Sequence, residues 1–126
     1  MNHELSERQK EEVLTKLRAK NIFNLPEKLK EIWLNLSPYG GLDIQKLNEI
    51  ITWLKSKASL GDYVLVQGEF GATFYLVDFC FKYGLVPLYA TSKREYNELT
   101  LKDGFIKRIH IFNHIQFREY KRYMEE

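Results

Sequence analysis

The sequence predicts one α/β domain with a mostly parallel, Rossmann-like sheet, flanking helices and a C-terminal β-hairpin. Two apolar runs, residues 63–66 and 85–89, read as buried strands and flank an apolar stretch of helical length. Strand, helix and strand within about 30 residues are typical of a βαβ unit with a right-handed crossover. Asp103-Gly104, between two further apolar segments, is a hairpin signal. The length of 126 residues fits one domain spanning residues 1–126.

Three helices are predicted before the first strand. Ser6 and Gln9 form a capping-box pattern that begins a helix over residues 7–20. Pro26 suits the first turn of a second helix, which residues 37–41 end. The third helix begins at Asp43, and its predicted buried face consists of Leu47, Ile50, Ile51, Leu54 and Ala58.

The fourth predicted helix, residues 72–83 with Gly84 as its stop, is apolar on nearly every side. Such a helix needs cover beyond the sheet, and a second copy of the chain in a two-fold homodimer is the simplest cover. A doubly wound domain usually begins with a strand, whereas this sequence begins with a helix. We therefore expect the first strand to be missing, through truncation or through loss of the element.

The composition excludes several classes of protein. The net charge of +2 gives no field that favours duplex DNA or an anionic membrane. We expect a cytoplasmic protein without a membrane partner, because no 18-residue apolar stretch or leader occurs. The single cysteine, Cys80, lies in an apolar run and is expected to be a buried, inert thiol. No spacing typical of metal ligands occurs, so neither a metal nor a cofactor is predicted.

A glycine-flanked turn, residues 67–73, follows the first predicted strand at its carboxyl end, where open α/β sheets bind ligands. Gly68 and Gly71 permit close approach of the backbone, and the helix behind them presents free N–H groups. These features suit a phosphate but also a tight structural turn. Glu69 either caps the helix, or accepts a proton, or holds a ribose hydroxyl by a hydrogen bond. Thr73 either caps the helix or donates a hydrogen bond to an oxygen of the ligand.

The end of the second predicted strand supplies two hydroxyls and two cations, from Thr91, Ser92, Lys93 and Arg94. Because neighbouring parallel strands end at one edge of the sheet, these side chains are expected beside the first turn. A solvated loop is the alternative. The basic and aromatic tail, residues 108–123, either binds nucleic acid or is an ordinary polar end. Its His110 and His114 are expected to be metal ligands, proton carriers, or structural or solvated residues.

The stretch GDYVLVQGEFGATFYLVDFCFKYGLVPLYATSKRE, the later IFNHIQFREY and the upstream NHELSERQ and LPEKLKEIWLNLSP together resemble a known family. This family is a small Csx-type group of stand-alone, CARF-like CRISPR-associated proteins of type III systems, among which ring nucleases occur. The resemblance implies a homodimer whose cleft holds a cyclic oligoadenylate, here cyclic tetra-adenylate. Cleavage of this messenger would switch off effector nucleases of antiviral defence. In that family the NHEL segment ends a first strand, and Met1 stands in its place here.

The resemblance also implies roles for particular residues. We expect metal-independent cleavage through attack of a ribose 2′-hydroxyl, with Lys93 or Arg94 stabilising charge and Glu69 or His3 taking the proton. The residues expected to bind the ligand are Asn2, Gln67, Gly68, Phe70, Gly71, Thr73, Thr91 and Ser92. Two alternatives stay open, namely a module that binds and sequesters the messenger without cutting it, and an RNA-binding accessory domain.

Overall fold

The computed structural model describes residues 5–124, without the side chains of residues 95–97, 99 and 109–111. Four helices and three strands occur in this part of the chain. The helices are α1 (Glu7–Thr15), α2 (Glu27–Leu34), α3 (Ile44–Lys57) and α4 (Phe70–Tyr83), and the strands are β1 (Tyr63–Leu65), β2 (Val86–Thr100) and β3 (Ile106–Glu119). No described helix has the length and apolar character needed to cross a membrane.

The three described strands form one sheet in the order β1-β2-β3. Strands β1 and β2 are parallel, and Leu65 pairs with Leu88. Strands β2 and β3 are antiparallel from Leu88↔Glu119 to Thr100↔Ile106. The mixed α/β class with a small sheet and flanking helices is confirmed. A mostly parallel, Rossmann-like sheet is not confirmed, because the described strands form only one parallel pair.

The second strand is much longer than predicted. Residues 90–92 were expected to end it, but they contain neither glycine nor proline, and the strand continues to Thr100. Beyond β1, residues 92–100 and 106–114 therefore form a two-stranded ribbon. The predicted hairpin is confirmed, with Gly104 at φ +88° and the Leu101 N–H donating to the Phe105 carbonyl at 2.7 Å. Most of the basic and aromatic tail belongs to strand β3, which runs to Glu119.

The main core lies between one face of the sheet and the helices α2, α3 and α4. The predicted apolar face of α3 is confirmed, since its Leu47, Ile50, Ile51 and Leu54 are all buried. Helix α4 buries Ala72, Leu76, Val77 and Cys80 and ends at Gly84, whose φ of +78° is the left-handed conformation expected at this stop. Burial raises the pKa of the Cys80 thiol to about 12, which agrees with an inert cysteine.

Helix α1 begins where the sequence predicts but is shorter than predicted, and a buried contact between Glu12 and His114 holds it against β3. Its predicted capping box is confirmed, because Gln9 N–H donates to the Ser6 hydroxyl and the Gln9 side chain accepts from the Ser6 N–H. The helix ends at Thr15 rather than near residue 20, since Arg18 has a φ of +55°, which an α-helix does not accommodate. Residues 16–26 after it contain no helix or strand.

Candidate functional site

The turn that follows β1 is fixed from both sides by aromatic donors. The indole Nε1 of Trp33 donates to the carbonyl of Gln67 at 2.9 Å. The hydroxyl of Tyr120, just after β3, donates to the carbonyl of Val66 at 2.6 Å. The turn therefore has a defined position relative to α2 and the sheet. The backbone carbonyl of Gln67, a residue predicted to bind the ligand, already accepts a hydrogen bond from within the fold.

Gly68 is explained by the packing of Trp33. Its φ is not positive, so the turn requires no left-handed residue at this position. A Cβ built on Gly68 would lie 2.6 Å from Nε1 and 2.7 Å from Cε2 of Trp33, whose side chain is 3% exposed. The indole ring thus lies where a side chain at residue 68 would be. The absence of a side chain at residue 68 serves the core.

Glu69 caps α4 with its own side chain. Its carboxylate accepts a hydrogen bond from the Gly71 N–H, and its carbonyl accepts one from the Thr73 N–H at 2.8 Å. A Cβ on Gly71 would lie 3.2 Å from the carboxylate, so the glycine leaves room for this cap. Of the two sequence interpretations of Glu69, capping is the one that the geometry shows. A phosphate at this helix end has to replace the carboxylate if it is to bind the Gly71 amide.

The first turn of α4 presents aromatic rings rather than a hydroxyl. Phe70 and Phe74 are 94% and 75% exposed, and both lie on the outer side of the helix. The Thr73 hydroxyl has no accessible surface and no hydrogen-bond partner in the described chain. As the structure stands, Thr73 offers nothing to a solvent ligand, whereas Phe70 and Phe74 offer two flat apolar surfaces.

Thr91 lies within β2 and residues 92–94 lie in the ribbon. These residues neither end the strand nor form a solvated loop, so both expectations are wrong. The Thr91 hydroxyl donates to the Gln116 carbonyl at 3.1 Å. The guanidinium of Arg94 lies 5.4 Å from the centre of the Phe112 ring, across the ribbon. Ser92 and Lys93 are exposed. The side chains alternate, so Thr91 and Lys93 share one face and Ser92 and Arg94 share the other.

By alternation along β2, Lys93 belongs to the same face of the sheet as the core under α4, but it lies in the ribbon beyond β1, past the register shift between Thr91 and Ser92. Val64, a core residue of that face, pairs with Pro87, and alternate residues along β2 from Pro87 reach Lys93. The Val66 N–H donates to the Leu88 carbonyl at 3.0 Å, which keeps β2 beside the chain as it enters the turn. The turn and Lys93 therefore belong to one side of the molecule, although the structure gives no direct contact between them.

His114 forms a buried pair that the sequence did not predict. Its Nε2 lies 2.6 Å from Oε1 of Glu12, and the other carboxylate oxygen accepts the Phe117 N–H at 2.8 Å. Gln9 Nε2 lies 3.5 Å from His114 Nδ1, so both ring nitrogens face α1. The structural interpretation of His114 fits this geometry. Glu12 was missed because nothing in a sequence links two residues 102 positions apart.

Asn2 and His3 lie outside the described residues, and the side chain of His110 is not described, so these predictions stay predictions. Within residues 5–124, no group of three or more His, Cys, Asp or Glu side chains is arranged to hold a metal ion.

Comparison with known proteins identifies the family. Residues 1–118 match the family described as "Uncharacterized protein MJ1673 family". A relative from Methanocaldococcus jannaschii, "Uncharacterized protein MJ1673", is 36% identical over 122 residues, which cover 97% of this chain and 94% of the relative. The chain belongs to the MJ1673 family. No solved structure matches it at a significant level.

The surface around the first turn of α4 indicates which kind of ligand it suits. The α4 end of the molecule offers two exposed aromatic rings and a carboxylate that is already bonded to an amide, and Lys93 is exposed farther along the neighbouring strand. Rings and a cation suit the bases and phosphates of a nucleotide ligand. Within the described residues, no pair of a nucleophile and an adjacent base occurs there.

Proposed function

We propose that this MJ1673-family chain binds a ribonucleotide with several phosphates, specifically a cyclic oligoadenylate, on the surface around the first turn of α4. The observation that carries the proposal is the exposure of Phe70 and Phe74 beside the carboxyl end of β1, with the exposed Lys93 farther along the neighbouring strand β2. Bases stack on exposed aromatic rings, with about 1–3 kcal/mol per base, and a lysine attracts phosphate.

A homodimer is part of the proposal. Beyond its first turn, α4 keeps Tyr83 45% exposed, and a second copy of the chain covers this part of the helix while Phe70 and Phe74 stay open to the ligand. A two-fold arrangement suits a cyclic ligand, because each subunit then supplies one set of rings and cations to one half of the ring. The resemblance to stand-alone CARF-like proteins supports the same arrangement.

Ring cleavage is the second step of the proposal and depends on the resemblance alone. The 2′-hydroxyl of one nucleotide attacks the adjacent phosphorus, the P–O5′ bond breaks, and the products carry a 2′,3′-cyclic phosphate and a 5′-hydroxyl. Lys93 or Arg94 stabilises the developing charge. Glu69 accepts the 2′-proton on Oε2, since the Gly71 amide donates to Oε1.

The test is incubation of the protein with cyclic tri-, tetra- and hexa-adenylate in EDTA, with binding measured by calorimetry and products by anion-exchange chromatography. We expect micromolar binding of one ring size, weaker binding of the matching linear oligoadenylate, and metal-independent cleavage. Lys93→Ala should lower the affinity by about tenfold, whereas Lys107→Ala, an exposed lysine farther along the ribbon, should not. Tight binding without products supports a sequestering module, and no binding of any ring refutes the proposal.

The ribbon favours a second candidate, a linear RNA-binding accessory domain. Lys93, Lys107 and Arg108 are exposed on it together with Phe105 and Phe112. Such a surface binds single strands with a strong dependence on salt, with a slope of log K against log salt of about −0.7 for each phosphate contact. Binding of linear RNA with no preference for the ring, weakened equally by Lys93→Ala and Lys107→Ala, would establish this function instead.

A further inference from the structure

A cavity of about 540 Å³ lies on the other face of the sheet, away from α4. Leu65, Leu88 and Phe117 line it from the sheet, and Trp53 lines it from α3. Leu65 pairs with Leu88, and Ala90 with Phe117, so these side chains share the face that α1 covers. The volume lies within the range of about 300–1,000 Å³ found for small-molecule sites.

The cover of this cavity has few contacts between its two ends, which are held by hydrogen bonds to α1 and by packing of Leu25 against the core. Residues 17–25, called the cover segment below, line the cavity on its outer side. Residues 20–25 make no hydrogen bond to any other part of the described chain. Ile22 and Phe23 keep 39% and 64% of their surface exposed. A segment with few contacts opens at little cost, so a molecule can enter beneath it.

Cations outnumber carboxylates in the cavity wall. Arg18, Lys20 and Lys57 line the cavity and are exposed, and none of them forms an ion pair with another described residue. Asp62 is the carboxylate among the lining residues, and its Oδ2 already accepts the Ser59 N–H at 2.8 Å. The wall therefore combines an apolar interior with unpaired positive charge.

From this combination we infer that the cavity binds a single small amphiphile with an aliphatic chain and an anionic head group. The chain lies against Leu65, Leu88 and Phe117, and the head group lies near Lys20 and Lys57. The apolar lining accounts for the affinity, while the cations select the charge of the head group. This site is on the opposite face of the sheet from the surface proposed for the nucleotide, so it does not depend on that proposal.

The test uses four probes that share a ten-carbon chain and differ in the head group. The dissociation constant is measured by calorimetry. Binding is also followed by Trp fluorescence, because Trp53 lines the cavity. We expect decanoate and decyl phosphate to bind, decanol to bind at least about tenfold more weakly, and decyltrimethylammonium not to bind. The tighter of the two anions identifies the head group as carboxylate or phosphate. Octanoate, two methylenes shorter, should bind about tenfold more weakly than decanoate.

Two variants locate the binding. The double variant Lys20→Glu, Lys57→Glu should weaken decanoate binding by about tenfold and leave decanol unchanged. Lys107→Glu on the ribbon is the matched control and should have no effect. Ala19→Leu narrows the cavity and should weaken every probe. Equal affinity for all four head groups, no decanoate binding at millimolar concentration, or binding indifferent to both cavity variants would overturn the inference. The head-group series on the unaltered chain decides the matter even if a variant does not fold.

Discussion

The sharpest prediction concerns Gly68, because the structure assigns to the core a glycine that the sequence assigns to a ligand. Alanine at this position places a Cβ 2.6 Å from Nε1 and 2.7 Å from two carbons of the Trp33 ring. Ordinary contacts between carbon atoms begin near 3.5 Å. Trp33 is 3% exposed and its Nε1 donates to the Gln67 carbonyl, so the ring cannot move without breaking that bond.

The expected cost has two parts. Inserting one carbon into a packed core costs about 1–3 kcal/mol. If the indole shifts to relieve the overlap, the loss of its hydrogen bond to the Gln67 carbonyl adds about 1 kcal/mol. Gly68→Ala should therefore lower the free energy of unfolding by about 2–4 kcal/mol, which is a large part of the stability of a small domain.

The measurement is urea denaturation followed by circular dichroism, with the slope of the transition compared between variants. Gly41→Ala is the matched control, because its φ is not positive and a Cβ there meets nothing within 4 Å. We expect this control to change the stability by less than about 0.5 kcal/mol.

A Gly68→Ala protein as stable as its parent would refute the steric argument. If that stable variant also lost ligand binding, the glycine would serve the ligand as the sequence suggested. If it is destabilised as expected, loss of binding carries no information about the site, and Lys93→Ala is then the variant to interpret.

Three other perturbations test the contacts that hold the fold together. Tyr120→Phe removes the donor to the Val66 carbonyl and should cost about 1–3 kcal/mol of unfolding free energy, measured by urea denaturation. Glu12→Ala leaves the Phe117 N–H without its carboxylate acceptor and should cost about 3 kcal/mol in the same assay. Burial raises the pKa of the Cys80 thiol from 9.0 to about 12, so the folded chain keeps a proton that the unfolded chain loses. Stability from this group is complete below pH 9, and the protein should lose about 1.4 kcal/mol between pH 8 and pH 10.

Each of these perturbations has a control. Tyr89→Phe removes a hydroxyl whose contact is a 3.5 Å approach of Arg118, and it should be nearly neutral. Glu11→Ala changes an exposed carboxylate next to Glu12 and should cost less than about 0.5 kcal/mol. Cys80→Ala should not show the additional loss of unfolding free energy between pH 8 and pH 10. If the variant and the unaltered protein have the same pH dependence, the burial argument is contradicted.

Local signals predicted the local structure well. The capping box at Ser6, the apolar face of α3 and the left-handed stop at Gly84 all depend on residues within one or two turns of each other, and all are confirmed. The hairpin at residues 101–105 is confirmed for the same reason. The exception is β2, where the absence of any breaker in residues 90–92 should have indicated that the strand continues.

The candidate site could not be predicted as well, because the meaning of its glycines is decided by residues far away in sequence. Gly68 is required by Trp33, which lies 35 positions earlier, and the turn is fixed by Tyr120, which lies more than 50 positions later. A glycine that admits a ligand and a glycine that admits an indole ring look identical in a sequence. Gly71 is a similar case, since its missing side chain leaves space for the carboxylate of Glu69.

The turn after β1 and the exposed residues near it have different roles. With the Gln67 carbonyl, the Val66 carbonyl and the Gly71 amide all occupied from within the chain, the turn is a rigid support. The rings of Phe70 and Phe74 stay exposed beside it, and Lys93 is exposed farther along β2. Binding of the proposed ligand at this end of the molecule therefore depends mainly on stacking and charge, and the Gly71 amide takes part only if the ligand displaces the Glu69 carboxylate.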